Sequence, residues 1–387
     1  MGLLDVMFWA GIAVIAYTYA LYPLSLMLIA RLVPERAIHE NERAYGLPTA
    51  TLVIAAYNEE SVIAKKIEDS LSLDYPADLL TIIVASDGSS DSTNGIVSGY
   101  ARRSGNVRLL SLPRSGKSGA INAAMREVAS DLAVFTDANT VFDKGALKKL
   151  ARRFLDPDVG CVSGRLVYGN PSGNISGKGE GAYWRYETML KRLESRLGYV
   201  AGANGAIYAI RRELFEPLEK SAINDDFTIS MKVVEKGRLS IYEEEALAYE
   251  DVARDAKGEF MRHVRDGAGH YIAMIHLLPL LNPALGLRSF IYWSHRVLRW
   301  AVPFIMAALM FLNILLFEDG VFEDIFYLQS AFYICALLGF AASRARRLPF
   351  FIYIPFYLCN LNLALFIGFI KALLKAQKPA WERTERA

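Results

Sequence analysis

The chain has 387 residues, 53% of them hydrophobic and 22% charged, with a net charge of +2. That length holds one large domain or two modest ones, and so small a charge leaves no basic stripe of the kind that binds nucleic acid. Three cysteines set far apart, Cys161, Cys335 and Cys359, argue against a disulfide framework or a cysteine metal cluster and suit a cytoplasmic domain.

Apolar residues are unevenly placed. Residues 6–33 carry no charge before Arg31, and at about 1.5 Å per residue they exceed the roughly 20 residues that cross a bilayer. A signal peptide would carry a basic start, but Asp5 is the sole charge ahead of the run. Residues 1–36 therefore read as an uncleaved transmembrane anchor.

From residue 50, short apolar runs alternate with amphipathic segments. Strands are predicted at 51–56, 80–86, 107–112, 132–138 and 159–164, and helices at 59–71, from near Asp91, at 119–129 and at 143–155. In the first helix Val62, Ile63, Ile67 and Leu71 form the inward face. This alternation implies a mostly parallel sheet with right-handed crossovers and helices on both faces, an α/β domain over 45–270.

Ligands of such sheets bind beyond the carboxyl ends of the strands. Three of those ends are polar: AYNEE at 56–60, SDGSSDS at 86–92 and TDAN at 136–139. A single Asp there carries little weight, because Asp also caps helices, and Asp91 reads that way; three acidic ends together point to one site. No GxGxxG follows the first strand, and SGKSG at 115–119 lacks the upstream glycine of a P-loop, Ser111 standing in its place. Lys117 is still a candidate to face a phosphate.

Beyond the domain, 271–287 is apolar but broken by Pro279 and Pro283, which predicts interfacial helices over 271–295. A membrane bundle follows over 296–374, with spans near 297–317, 325–342 and 349–370, and then a basic tail over 375–387. Arg31 and Arg36 follow the first span, 318–324 has no basic residue, and Arg344, Arg346 and Arg347 follow the third stretch, which puts the globular domain in the cytoplasm. Lys375, Lys378, Arg383 and Arg386 oppose a fourth crossing. Two readings of 349–370, which contains Pro355, stay open: a re-entrant or interfacial segment, or a span that breaks the rule.

AAYNEE, SDGSSDST, GKSGAINAA, FTDANT, GANGAIYAIRRELF and INDDFTIS occur in the order found in membrane-embedded family-2 glycosyltransferases, the group of the cellulose, chitin, hyaluronan and poly-N-acetylglucosamine synthases. Residues 45–270 resemble their GT-A catalytic domain. The resemblance implies an inverting transferase in a bacterial inner or plasma membrane. It would move a sugar from a nucleotide-sugar donor, UDP-linked, to a polysaccharide or lipid-linked acceptor.

The resemblance also implies roles for single residues. Asp137 and Asn139 match the DxD motif for a divalent metal, Mg or Mn, with Asn139 either a neutral ligand or only a turn residue. Asp87 would meet the base or ribose, Tyr57 and Glu59 would help hold the nucleotide, with Glu59 otherwise a first-turn carboxylate stabilised by the helix dipole, and Lys117 would lie on the nucleotide or its phosphates. Asp226 matches the general base and Asp225 its neighbour, or a helix cap. Arg265 takes the place of the arginine in QxxRW and would pair with the diphosphate, while Gly202 and Asn204 would meet the acceptor; Trp184 and Tyr271 are candidates for an aromatic that stacks on it, or else core residues.

The tryptophan of QxxRW is Asp266 here, so polymerisation and single addition both stay open. His263 and His270 read as surface or interface histidines. The rival from another class is a nucleotide-sugar-binding membrane module without catalysis, in an export complex.

Overall fold

The computed structural model describes residues 2–34, 46–169, 175–251, 256–318, 320–342 and 348–376. Arg36, Arg344, Arg346, Arg347, Lys378, Arg383 and Arg386, which enter the orientation argument, lie outside the described residues.

The strands of the domain are β1 (Ala50–Ala56), β2 (Leu80–Asp87), β3 (Val107–Leu112), β4 (Leu132–Asp137), β5 (Val141–Phe142), β6 (Val159–Gly169), β7 (Tyr208–Arg211) and β8 (Leu239–Asp251). They form one sheet in the order β3-β2-β1-β4-β7-β6-β8-β5. The first four strands of that order are mutually parallel, as the spacing predicts. The expected parallel step from β4 to β6 is corrected: β7 slots between them, antiparallel to both. Four residues, YAIR, are too few to show a two-residue period, so this insertion leaves no local signal.

Strand burial follows from the pleat. Leu52, Ile54, Ile82, Val84 and Val134 share one buried cluster, while their neighbours Val53, Ala55, Ile83, Ala85 and Phe135 share another on the opposite face. Both faces are covered by helices, which is why these strands read as continuous apolar runs. The first face is covered by α2 (Ile63–Leu71), α3 (Thr93–Arg103) and α5 (Ala146–Arg153), and the second by α4 (Lys117–Glu127) and α7 (Asp225–Glu235).

The inward face of α2 also differs from expectation. Ile63 and Ile67 are fully buried, but they are joined by Lys66 and Ser70, while Val62 is half-buried and Leu71 is exposed. The helix opens at Ile63, so its buried stripe runs 63, 66, 67 and 70.

Among the described residues, four helices are long and apolar enough to cross a membrane: α1 (Leu3–Leu32), α9 (Leu287–Leu315), α10 (Gly320–Ala341) and α11 (Phe350–Leu373). Two others join them to the domain, α6 (Ile175–Leu197) and α8 (Ala256–His276). The apolar stretch after 271 divides, its first residues ending α8, short turns following at Leu278–Leu281 and Pro283–Leu285, and the rest opening α9. Phe8 of α1 packs with Leu309 and Leu312 of α9 and Phe322 of α10.

Candidate active site

The sheet register delivers the polar strand ends to one edge. Ala56 pairs with Ser86 and Ala55 with Asp137, so Tyr57 and Asp87 leave the sheet side by side, with Asp137 two residues short of that level and Asn139 in line with them. The loops after β1 and β2 are laced together: the Asn58 carboxamide oxygen accepts from Ser90 N at 2.8 Å, and the Glu60 carboxylate accepts from Ser92 N at 3.0 Å. Asn58 adopts φ 54°, a left-handed conformation that asparagine tolerates. Asp91 accepts from Thr93 N at 3.0 Å and Glu60 N at 3.1 Å, so it ties the two loops from one residue ahead of the helix N-cap, which is Ser92. The Glu59 carbonyl accepts from Val62 N and Ile63 N, which places Glu59 in the turn that starts α2.

Asp87 is fully buried and its carboxylate is shared out. Oδ1 accepts from Ser115 N at 2.6 Å and Ser115 Oγ at 3.1 Å; Oδ2 accepts from Arg114 Nη1 at 2.6 Å and Gly116 N at 2.9 Å. Arg114 then lies flat on Tyr57, its guanidinium carbon 3.3 Å from the ring centroid. Gly88, at φ 71°, makes this possible, because a Cβ there would come within 2.9 Å of Arg114 N. Tyr57, Asp87 and Arg114 therefore form one stacked, charge-paired floor. Arg114 is a residue that sequence reasoning missed, and its only signal was a basic side chain just ahead of SGK.

A second cluster lies where β4, α4 and α7 meet. Lys117 Nζ donates to Asp137 Oδ1 at 3.0 Å and lies 3.2 Å from Asp225 Oδ1. Burial alone would depress this ammonium, but Asp137, Asp225 and Asp226 outweigh it and hold Lys117 above the ordinary lysine range. Asp226 Oδ1 accepts from Phe227 N at 2.8 Å, and Oδ2 faces Gly205, where a Cβ would come within 2.9 Å. Among the described residues no donor reaches that second oxygen. Burial, then Asp225, pushes the Asp226 carboxyl up to about 6. The paired acids thus differ: Asp225 is buried and salt-bridged to Lys117, whereas Asp226 is partly accessible with a proton-hungry oxygen.

Asp137 and Asn139 are both partly exposed at the tip of β4. Among the described residues no set of three or more His, Cys, Asp or Glu side chains converges to hold a metal on its own. One carboxylate and one amide oxygen fit a hard cation that takes its remaining oxygens from a diphosphate. The turn that carries them is pinned from below by Lys66, whose Nζ donates to Thr136 Oγ1 at 2.9 Å and to Thr140 O at 2.5 Å. Sequence reasoning missed Lys66 too, since a lysine on a helix ordinarily faces water.

The loop after α6 lies against Asp226. Gly202, at φ 102°, approaches the Phe227 ring so closely that a Cβ would sit 2.7 Å from it. Asn204 turns its side-chain oxygen onto Ala206 N at 3.3 Å and takes Ser163 Oγ on its own N–H, so it builds the loop. Trp184 packs on Tyr168 with centroids 5.5 Å apart. Arg265 lies 3.4 Å from Asp266, and His263 lies 3.7 Å from Glu259 on the same helix. His270 is an interface residue, stacked 5.1 Å from Trp300 of α9, with burial drawing its pKa down to about 4.

These strand-end acids on a mixed sheet meet a matching family. The sequence model for Glycosyl transferase family 2 matches residues 51–218. The chain carries a family-2 glycosyltransferase domain.

Among curated relatives, beta-monoglucosyldiacylglycerol synthase of Synechocystis sp. is 24% identical over 234 residues, 58% of this chain and 49% of that protein. Poly-beta-1,6-N-acetyl-D-glucosamine synthase of Staphylococcus aureus is 25% identical over 230 residues, 58% of this chain and 55% of that protein. The chain thus spans about half the length of these relatives. A solved mannosyltransferase from Pyrobaculum calidifontis, in complex with GDP-Man and Mn2+, superposes with a TM-score of 0.69 at 20% identity, covering 96% of this chain and 99% of that one. That likeness establishes the GT-A-like fold.

Proposed function

We propose that this glycosyltransferase works at a membrane, moving a sugar with inversion from a UDP-linked donor to a hydroxyl of a polysaccharide or lipid-linked acceptor. The observation that carries this reading is the division of labour between Asp225 and Asp226. Asp225 is spent on Lys117, while Asp226 keeps an unbonded, basic oxygen beside the 202–205 loop. Asp226 takes the acceptor proton as the hydroxyl oxygen attacks the anomeric carbon, and the bond to the diphosphate breaks. One displacement with no covalent intermediate inverts the anomeric centre.

Asp137 and Asn139 are the residues that would hold Mg2+ or Mn2+, and the bound ion stabilises charge on the leaving diphosphate. Lys117 adds fixed positive charge beside that group. Tyr57 and Arg114 serve the nucleoside, with the buried Asp87 holding Arg114 in place and Glu59 shaping the adjoining turn. Arg265 serves the diphosphate, and Trp184, Gly202 and Asn204 frame the acceptor's path. The basic residues flanking the apolar helices favour a cytoplasmic domain in a bacterial inner or plasma membrane.

Asp266 in place of tryptophan favours a second reading, single addition to a lipid-linked saccharide, because it removes the stacking platform for a growing chain. One experiment addresses both readings. Membranes containing the protein are given a panel of sugar nucleotides with MgCl2 or MnCl2; nucleoside diphosphate release is measured and the product is sized. Release with long products supports polymerisation, and a single added sugar supports the second reading. No release from any donor, while Asp87→Ala still alters nucleotide binding, would leave only a binding module.

A further inference from the structure

Asn224 occupies the N-cap of α7, immediately ahead of Asp225 and Asp226, yet its side chain caps nothing. An asparagine there ordinarily accepts a backbone N–H of the first turn. Instead Asn224 Nδ2 reaches across to α8 and donates to the Asp266 carbonyl at 2.9 Å. Its amide lies flat on Gly269: a Cβ at that glycine would come within 2.3 Å of Asn224 Oδ1 and 2.6 Å of Cγ. Only a glycine admits this seat.

The other side of α8 meets α11 just as closely. A Cβ on Gly368 would stand 2.7 Å from Ala268 N, 2.8 Å from Val264 O and 2.9 Å from Gly267 C, all backbone atoms that cannot turn aside. A Cβ on Gly267 would lie 3.3 Å from Leu365 Cα. Residues two apart on a helix point to nearly opposite sides, so Gly267 faces α11 while Gly269 faces α7. Each interior glycine destabilises a helix relative to alanine. That cost is offset by having α8 as a thin spacer, one helix backbone thick, between an apolar C-terminal helix and the start of α7.

We propose that Asn224, Gly269 and Gly368 are positioning residues that set Asp226, so that the C-terminal helix α11 is a working part of the catalytic centre rather than an anchor alone. The inference rests on Asp226 being the base. None of the three residues touches substrate on this account. They act through the seat of the turn that carries Asp225 and Asp226, and α11 holds α8 where that seat requires it.

The test is a double-mutant cycle in the full-length protein, with kcat, donor KM and UDP affinity measured for each variant. Asn224→Ala and Gly269→Ala are each expected to lower kcat tenfold or more while donor KM and UDP affinity stay within about twofold. The double variant should be no slower than the worse single, because one seat is lost only once. Gly368→Ala should lower kcat with the same unchanged donor KM.

Wild-type kcat in Asn224→Ala, or losses that multiply in the double variant, would overturn the proposal. So would a Gly368→Ala defect confined to donor KM. If Gly269→Ala does not fold, Asn224→Ala and Gly368→Ala still decide, since the first removes a bond without adding bulk. Inactive wild-type protein would instead count against the transferase reading and not against the seat.

Discussion

Asp226 and Asn139 are the two residues whose chemistry is most exposed to test. Asp226→Asn keeps the shape and removes the basic oxygen, so kcat should fall by about 10²–10⁴-fold, the range of a lost general base. Nucleotide affinity should be nearly unchanged in a binding titration. A base must be deprotonated, and burial with Asp225 alongside has raised Asp226 to about 6. The rate should therefore fall about tenfold per unit as pH drops below about 6, and stay level above it. At Asn139 the expected change is in metal affinity. Asn139→Asp adds a second charged ligand next to Asp137, so Mn2+ should bind about tenfold tighter in the absence of nucleotide. An unchanged Mn2+ titration would show that residue 139 does not touch the ion.

At the scale of single elements, the turn between β4 and β5 depends on α2 through one buried lysine. Lys66 is 3% exposed, lies 4.7 Å from the Phe142 ring centroid and bonds both ends of the 136–140 turn. Lys66→Met should leave the Thr140 carbonyl without this donor, at a cost of about 1–3 kcal/mol. It should also weaken donor binding about tenfold while acceptor KM is unaltered, as read by nucleotide titration and steady-state kinetics. Burial has lowered Lys66 to about 7 from 10.5, so its folded form sheds a proton that the unfolded chain still holds. The stability it costs is complete below about 7 and fades as pH climbs towards 10.5; the methionine variant should lack that slope in thermal unfolding across the same range. What the sequence made legible at this scale is the parallel half of the sheet, since β2 and β4 are apolar runs that end in Asp87 and Asp137, and β1 is one that Tyr57 follows. Lys66 and Arg114 escaped because polarity was read as exposure, while their partners Thr140 and Asp87 lie far away in sequence. The start of α9 escaped for the same reason: Arg288, His295, Arg296 and Arg299 lower its apparent hydropathy, yet His295 and Arg299 are buried against acids from α6.

Those acids join the whole molecule together. Glu194 of α6 accepts from Tyr22 of α1 at 2.7 Å and from Ala201 N at 3.0 Å, and meets His295 Nδ1 of α9 at 2.5 Å. Glu187, two turns earlier, is salt-bridged to Arg299 and lies 3.4 Å from His295 Nε2. Burial would raise both carboxyls, but Arg299 and His295 outweigh it at Glu187, and His295 with the Ala201 N–H and Tyr22 hydroxyl outweighs it at Glu194, so both are held below the ordinary range. The N-terminal helix, the α/β domain and α9 thus meet at one buried, charged joint, next to the Arg296 that binds the Ala201 carbonyl beside the 202–205 loop. Removing one partner of such a pair leaves an uncompensated buried charge at about 3–5 kcal/mol, whereas removing both leaves none. Glu187→Leu and Arg299→Leu should therefore each lower the Tm of the detergent-solubilised protein by several degrees. The double variant should recover much of the loss, because leucines can fill the space that the pair vacates. Additive losses would mean that each side chain is held by other contacts, and that the joint is an assembly of neighbours rather than a pair.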